Sequence, residues 1–286
     1  MLTGAVRQDR LAGPTGGHPV SGIPVVLCLS GNDPCGGAGI QADIEAIASM
    51  GALAAPVITA LTVQDSQNVM RLEPVDPLLI IEQARAVLED MPVAAIKIGL
   101  IGSVENIQVI HSLLHDYPDV PVVLDPILRA GGGNRLSTDA MEQALRQLLF
   151  PYVTVLTPNS QEARALAQEA DTLDACAQQL LDDGCELVLI TGTHEDTQAV
   201  ENRLYGNHRL LETFSWERLP HSYHGSGCTL AASIAGLLAH GLEPFSAIHE
   251  AQEYTWQTLA HGFRLGMGQH HPNRLFWARG EDDEQD

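Results

Sequence analysis

The stretch Pro24-Val-Val-Leu-Cys-Leu29-Ser-Gly31-Asn-Asp-Pro-Cys-Gly36-Gly-Ala-Gly39-Ile-Gln-Ala-Asp43 decides how the chain is read. A short apolar run stopped by Ser and Gly predicts a buried strand over Pro24–Leu29. The glycine-rich segment after it lets backbone approach a ligand closely. Ile40, Ile44 and Ile47 then recur at helical spacing. Strand, glycine loop and helix form the opening half of a βαβ unit, and the pattern repeats downstream. Further strands are predicted over Ala54–Leu61, Val93–Ile98, Val120–Leu124, Val153–Leu156 and Leu187–Ile190. Helical patterns lie between them over Leu78–Leu88, Val104–Leu114, Ala140–Leu149 and Glu162–Leu181. The alternation argues for an α/β fold with a doubly wound, mostly parallel central sheet flanked by helices. Thr197–Tyr205 and Arg209–Phe214, joined at Gly206-Asn207, read as a hairpin, and helices at about Cys228–Ala239 and Pro244–Phe263 close the domain. No repeat or linker interrupts it. A single domain is expected over residues 23–272, after a flexible leader at 1–22 and before a tail at 273–286 that is acidic at its end.

Composition limits the partners. The 286 residues carry a formal net charge of −21, and the basic side chains are 14 arginines and one lysine, Lys97. A surface this acidic repels phosphate backbones and anionic headgroups, which argues against nucleic acid or membrane partners. Apolar runs all fall far short of the roughly 18 residues of a membrane span. Five cysteines without a C-x-x-C pair suit free thiols in the cytoplasm. Any anion handled here must be met locally.

In open parallel sheets, ligands bind in the crevice at the carboxyl ends of the strands, and the loops of interest fall there. The first is Ser30–Gly39, with Asp43 about one turn into the following helix. Gly37-x-Gly39-x-x-Ala42, with Asp65 further on, also matches a dinucleotide fingerprint, which makes a nicotinamide-dependent oxidoreductase a rival. Against it, Asn32–Gly36 intervene where that turn should be immediate. The second loop is His224-Gly225-Ser226-Gly227-Cys228-Thr229, whose glycine-opened helix start would aim backbone N–H groups and a dipole at one spot. Cys228 at such a start is expected to have a lowered thiol pKa, although a cysteine beside alanines also reads as a small buried hydrophobe. The third is Thr157-Pro-Asn159-Ser-Gln-Glu162, which serves equally as a capping box and as the holder of a hydrated Mg²⁺. Asp125 ends another strand, and Lys97 lies in an apolar run where it needs a carboxylate or ligand partner. Gln64 follows the second strand. His221, His224, His270 and His271 lack zinc-ligand spacing, and no Gly-Lys-Ser/Thr phosphate loop exists.

Taken together, Gly31–Asp43, Val57–Leu61 with Gln64, Lys97-Ile-Gly99, Val123-Leu-Asp125, Thr157-Pro-Asn159 with Glu162, and His224–Thr229 resemble the hydroxymethylpyrimidine/phosphomethylpyrimidine kinases of thiamine biosynthesis. These are a branch of the ribokinase-like superfamily, and the resemblance covers nearly the whole domain. It implies ATP- and Mg²⁺-dependent phosphorylation of 4-amino-5-hydroxymethyl-2-methylpyrimidine, then of its monophosphate, by a cytoplasmic homodimer. Gly31, Asp43 and Gln64 would bind the pyrimidine. Asn159 and Thr191 would serve the nucleotide phosphates, the amides of Gly225, Ser226 and Gly227 the transferring group, and Asp125 and Glu162 the metal, directly or through water. Cys228 stands where sugar kinases of the superfamily carry an aspartate base. Two positions depart from the family pattern: Gly131 and Thr191 stand where lysine is usual. Both losses weigh on the second phosphorylation, whose substrate is already anionic, and Arg129 or Arg135 could compensate. A pyridoxal-type vitamin kinase and a non-catalytic pyrimidine-binding protein remain alternatives, because fold alone does not separate them.

Overall fold

A computed structural model of the protein describes residues 22–278. The leader expected over 1–22, Gly22 apart, and the acidic run at 281–286 lie outside the described residues. Nine strands form one sheet in the order β3-β2-β1-β4-β5-β6-β7-β8-β9. They are β1 (Val25–Asn32), β2 (Leu53–Gln64), β3 (Val69–Pro74), β4 (Val93–Ile98), β5 (Val122–Leu124), β6 (Val155–Leu156), β7 (Leu187–Ile190), β8 (Ala199–Gly206) and β9 (Arg209–Glu217). β2, β1, β4, β5, β6 and β7 run parallel, while β3 and the β8–β9 hairpin are antiparallel additions at the two edges. The helices are α1 (Gly39–Ser49), α2 (Pro77–Asp90), α3 (Val104–Asp116), α4 (Asp139–Ala144), α5 (Ser160–Leu166), α6 (Leu173–Asp182), α7 (Ser226–Ala239) and α8 (Pro244–Ala260).

Alternation along the buried strands divides the core. Leu27, Leu29, Ile96, Ile98 and Leu124 face the layer of α2 to α6, while Val26, Cys28, Ala95 and Val123 face α1, α7 and α8. α7 is buried along most of its length, so it packs with Ala, Gly and Ser against the sheet, and a Cβ at Gly236 would already press on Met50. The chain leaves β1 toward β2 and reaches β4 on β1's other side, so the loops after β1 and β4 diverge and open a crevice at the strands' carboxyl ends.

Several sequence expectations change in detail. β3 was not expected, and β2 runs on to Gln64, which makes that residue the strand's last rather than part of a loop. The pattern from Glu162 to Leu181 is two helices, broken after Leu166 and restarted where the Thr172 side chain accepts from the Ala175 N–H. Ile44, counted in the apolar stripe of α1, is exposed. In the hairpin turn, Asn207 and His208 both take left-handed backbone, at φ 49° and 56°, as the turn after Gly206 requires. Within the expected tail, the described residues 273–278 pack on the domain: Arg274 is buried and the Asn273 N–H bonds to the Thr258 carbonyl.

Candidate active site

Two glycine loops meet at the crevice. Asp33, just past β1, is buried and takes the Cys35 and Ala38 N–H groups, each at 2.8 Å, with His224 Nε2 also at 2.8 Å. Burial opposes ionisation of Asp33, but bonds from His224, Gln64 and the Cys35 N–H outweigh it and hold the carboxyl well below the usual range. Gly225, the residue before α7, has φ 82°, and a Cβ there would overlap the Gly37 carbonyl. Close approach of the two loops therefore requires glycine. The starts of α2, α3, α4, α5 and α6 are capped by side chains, whereas α1 and α7, which begin at these loops, carry no side-chain cap bond, nor does α8.

Below the loops lies a buried charge cluster. Lys97 Nζ is fully buried, 2.7 Å from Asp43 Oδ1 and 3.0 Å from Ser30 Oγ. Burial alone would lower the Lys97 pKa, yet Asp43, Cys228 and Asp125 reverse this and raise it, so the ammonium stays charged. Asp43 Oδ2 is buried without a hydrogen-bond partner. Gly227 at the start of α7 faces the Asp125 carboxylate, and a Cβ on Gly227 would lie 3.5 Å from Asp125 Oδ2. The Cys228 thiol neighbours the Asp125 carboxyl. Burial pushes the Cys228 thiol up to about 12, although Lys97 and the Gly39 N–H pull it down. The expected lowering is thus overturned: desolvation outweighs the helix start.

Glu162 and Asn159 form a capping box. The Asn159 side chain accepts from the Gln161 and Glu162 N–H groups, and Glu162 Oε2 accepts from Asn159 N–H at 2.9 Å. Glu162 Oε1 takes the Leu128 N–H at 3.3 Å, which ties α5 to the loop beyond Asp125. Burial raises Glu162, and the nearby Asp125 raises it further. Asp125 is itself raised by burial, with Lys97 opposing. Two neighbouring carboxyls, hard oxygen donors whose mutual repulsion and burial raise both, fit a Mg²⁺ that keeps most of its waters. Among the described residues no group of three or more His, Cys, Asp or Glu is arranged to hold a metal, so a Mg²⁺ here would rest on these two carboxyls, water and substrate.

Gly31 ends against Leu100, and Gln64 stands beside Asp33, with its carbonyl taking the Cys35 thiol at 3.5 Å. Thr191 pairs with Asn159 through backbone, which brings the β7 loop to the start of α5. The loop from Arg129 to Arg135 closes as a small hairpin over the site's edge. Gly131 lies under Gln269, and a Cβ at Gly132 would overlap the Gln67 carbonyl, so the tip seats on the β2–β3 turn. Arg135 is engaged by Asp139 and by Glu142 at 2.9 Å. Arg129 has no ion-pair partner among the described residues.

Sequence reasoning placed Gly31, Asp43, Gln64, Asp125, Asn159, Glu162, Thr191 and the Gly225–Cys228 turn at one end of the sheet, where they lie. It quoted Asp33 and His224 only as members of their loops and gave no role to Arg274; His224 meets Asp33 across 191 residues, and Arg274 reaches Glu45 and Gly36 across 229 and 238. No periodicity carries that signal.

The comparisons agree with this geometry. A family model described as phosphomethylpyrimidine kinase matches residues 33–273. A hydroxymethylpyrimidine/phosphomethylpyrimidine kinase of Synechococcus elongatus is 36% identical over 253 residues, covering 86% of this chain and 95% of the relative. One from Haemophilus influenzae is 33% identical over 270 residues, with 91% and 100% covered. Among solved structures, the ADP complex of Bacillus subtilis pyridoxal kinase superposes with a TM-score of 0.82 at 28% identity, over 90% of this chain and 100% of that one. Phosphomethylpyrimidine kinase of Clostridium difficile gives a TM-score of 0.71 at 30% identity, over 83% and 99%. A family model matched over residues 33–273 and relatives 33–36% identical along most of both chains place this chain in the hydroxymethylpyrimidine/phosphomethylpyrimidine kinase family.

Proposed function

We propose that the chain transfers the γ-phosphoryl group of ATP to the hydroxymethyl oxygen of 4-amino-5-hydroxymethyl-2-methylpyrimidine, and then phosphorylates the monophosphate. The observation that carries this reading is the convergence of the uncapped α7 start on Asp125 and Cys228. Backbone amides there suit a transferring phosphoryl group in a chain with one lysine, itself consumed by Asp43. In the transfer, the substrate oxygen bonds to the γ-phosphorus, the bond from phosphorus to the ADP oxygen breaks, and the hydroxyl proton leaves. Asp125, with the protonated Cys228 thiol beside it, would receive that proton, and burial raises the carboxyl so that it holds the proton readily. Gln64 and the free oxygen of Asp43 offer an acceptor and donor set for the pyrimidine edge, with Gly31 beneath it. Asn159 and Thr191 order the nucleotide side. Mg²⁺, held through water by Asp125 and Glu162, would supply charge neutralisation between the phosphates. For the second step Arg129, free of ion pairs, is the cation available in place of the lysines missing at 131 and 191.

Pyridoxal is the second substrate to test, since a pyridoxal kinase shares this fold at a TM-score of 0.82. An ADP-release assay with hydroxymethylpyrimidine, its monophosphate and pyridoxal side by side decides between them. Turnover of both pyrimidines is expected, with Arg129→Glu depressing the monophosphate step alone. A higher kcat/KM on pyridoxal would transfer the assignment, and no ADP release on any substrate would favour a binding protein. We also infer a cytoplasmic homodimer. No helix among the described residues is long and apolar enough to cross a membrane, and exposed Leu61, Val63 and Met70 on β2 and β3 offer a contact surface, which sedimentation would test.

A further inference from the structure

Arg274 is the buried arginine of the C-terminal segment, 2% exposed, and it reaches both glycine loops at once. Its Nε donates to Thr229 Oγ1 at 2.8 Å, and that hydroxyl donates to the Gly225 carbonyl at 2.8 Å. Its Nη1 meets Glu45 at 3.1 Å and the Gly36 carbonyl at 3.5 Å, while Nη2 donates to the Gly37 carbonyl. The backbone is pinned as well, since the Arg274 carbonyl accepts from Ser49 Oγ at 2.8 Å and Tyr254 OH at 2.7 Å. In a trans peptide the carbonyl and the following N–H point in opposite directions. Carbonyls of Gly36 and Gly37 drawn toward Arg274 therefore turn the N–H groups of Gly37 and Ala38 the other way, and Ala38 N–H is found on Asp33. One acid and one base orient the loop from its two faces. The Gly37 carbonyl lies directly against Gly225, where an uncompensated oxygen dipole would repel a bound anion.

We propose that Arg274 is a positioning residue for phosphoryl transfer: it neutralises and fixes the Gly36 and Gly37 carbonyls and the first turn of α7, so that the helix-start amides meet the phosphate. This rests on the reading of the α7 start as the phosphoryl site. The test compares wild type with Arg274→Ala and Arg274→Lys. For Arg274→Ala a fall in kcat of about 100-fold is expected, as for loss of an oxyanion-hole donor, with KM for the pyrimidine nearly unchanged. Added methylguanidinium should restore part of that kcat, and Arg274→Lys should lie between the two. A purely structural role would lower the melting temperature and leave kcat near wild type whenever the variant is folded, with no response to methylguanidinium; that outcome overturns the proposal. If Arg274→Ala does not fold, Thr229→Val, which removes one guanidinium acceptor, takes its place, and an unchanged kcat counts against the idea equally. Inorganic phosphate titrated by ³¹P line broadening separates the two readings. Phosphate binding lost in Arg274→Ala supports the proposal even if none of the expected substrates is turned over. Phosphate binding of equal strength in both proteins overturns it.

Discussion

Cys228 shows how burial decides a side chain's chemistry. Its place in the first turn of α7, near Lys97, favours a thiolate, yet enclosure by α7 and β5 pushes the thiol up to about 12. In the free protein it is therefore a protonated thiol and no standing nucleophile. Thiolate absorbance near 240 nm should stay absent up to pH 10, and a band already present at pH 8.5 would contradict the assignment. Cys228→Ala should lower kcat by about 100-fold while KM for the pyrimidine changes little, because the group acts chiefly in the transition state. Full activity in that variant removes the thiol from the mechanism. Which residues gather at the crevice was largely legible in the sequence, since glycine loops and strand-end carboxylates announce themselves locally. What held them was not. Lys97 visibly needed a partner, but that the partner is Asp43, across 54 residues, follows only from packing α1 on β1, the strand beside β4.

Among the elements, α5 joins folding to function in one turn. Its capping box satisfies helix-start amides, while the same Glu162 is buried beside Asp125 and raised to about 8 from an ordinary 4.5. For a carboxyl whose folded-state pKa is raised, the stabilising contribution is fully present below the unfolded value and lost as pH rises through the folded value. The metal-free protein should accordingly melt at progressively lower temperature between about pH 4.5 and pH 8. Glu162→Gln, which keeps an amide-accepting oxygen but cannot ionise, should make that decline shallower in calorimetry with chelator present. Equal slopes would mean that Glu162 is not charged late. Thr157–Glu162 predicted this cap from spacing alone. Continuous apolar periodicity hid the break after Leu166, because two short helices on the same face repeat the pattern of one long helix. The edge strand β3 escaped for a related reason: Val69–Pro74 alternates little and pairs on one side only.

At the scale of the whole molecule, the net charge of −21 acts on one substrate and spares the other. The pyrimidine is neutral and ATP is an anion, so the acidic surface opposes nucleotide approach and leaves the pyrimidine unaffected. The groups that would favour the phosphates act at contact range: the half-buried Gly225 and Ser226 and the exposed Gly227 present backbone amides at the α7 start, and Arg274 behind them is 2% exposed. Salt screens exposed charges separated by more than a Debye length, about 8 Å at physiological ionic strength, far more than it screens buried ones. Raising ionic strength therefore removes the repulsion while keeping most of the attraction. KM for MgATP should fall, by roughly threefold between low and physiological salt, for a surface potential of a few kT. KM for hydroxymethylpyrimidine should stay constant over the same range and serves as the internal control. A KM for MgATP that rises with salt would mean that exposed arginines, Arg129 foremost, carry the nucleotide contact and that the amides of α7 contribute little.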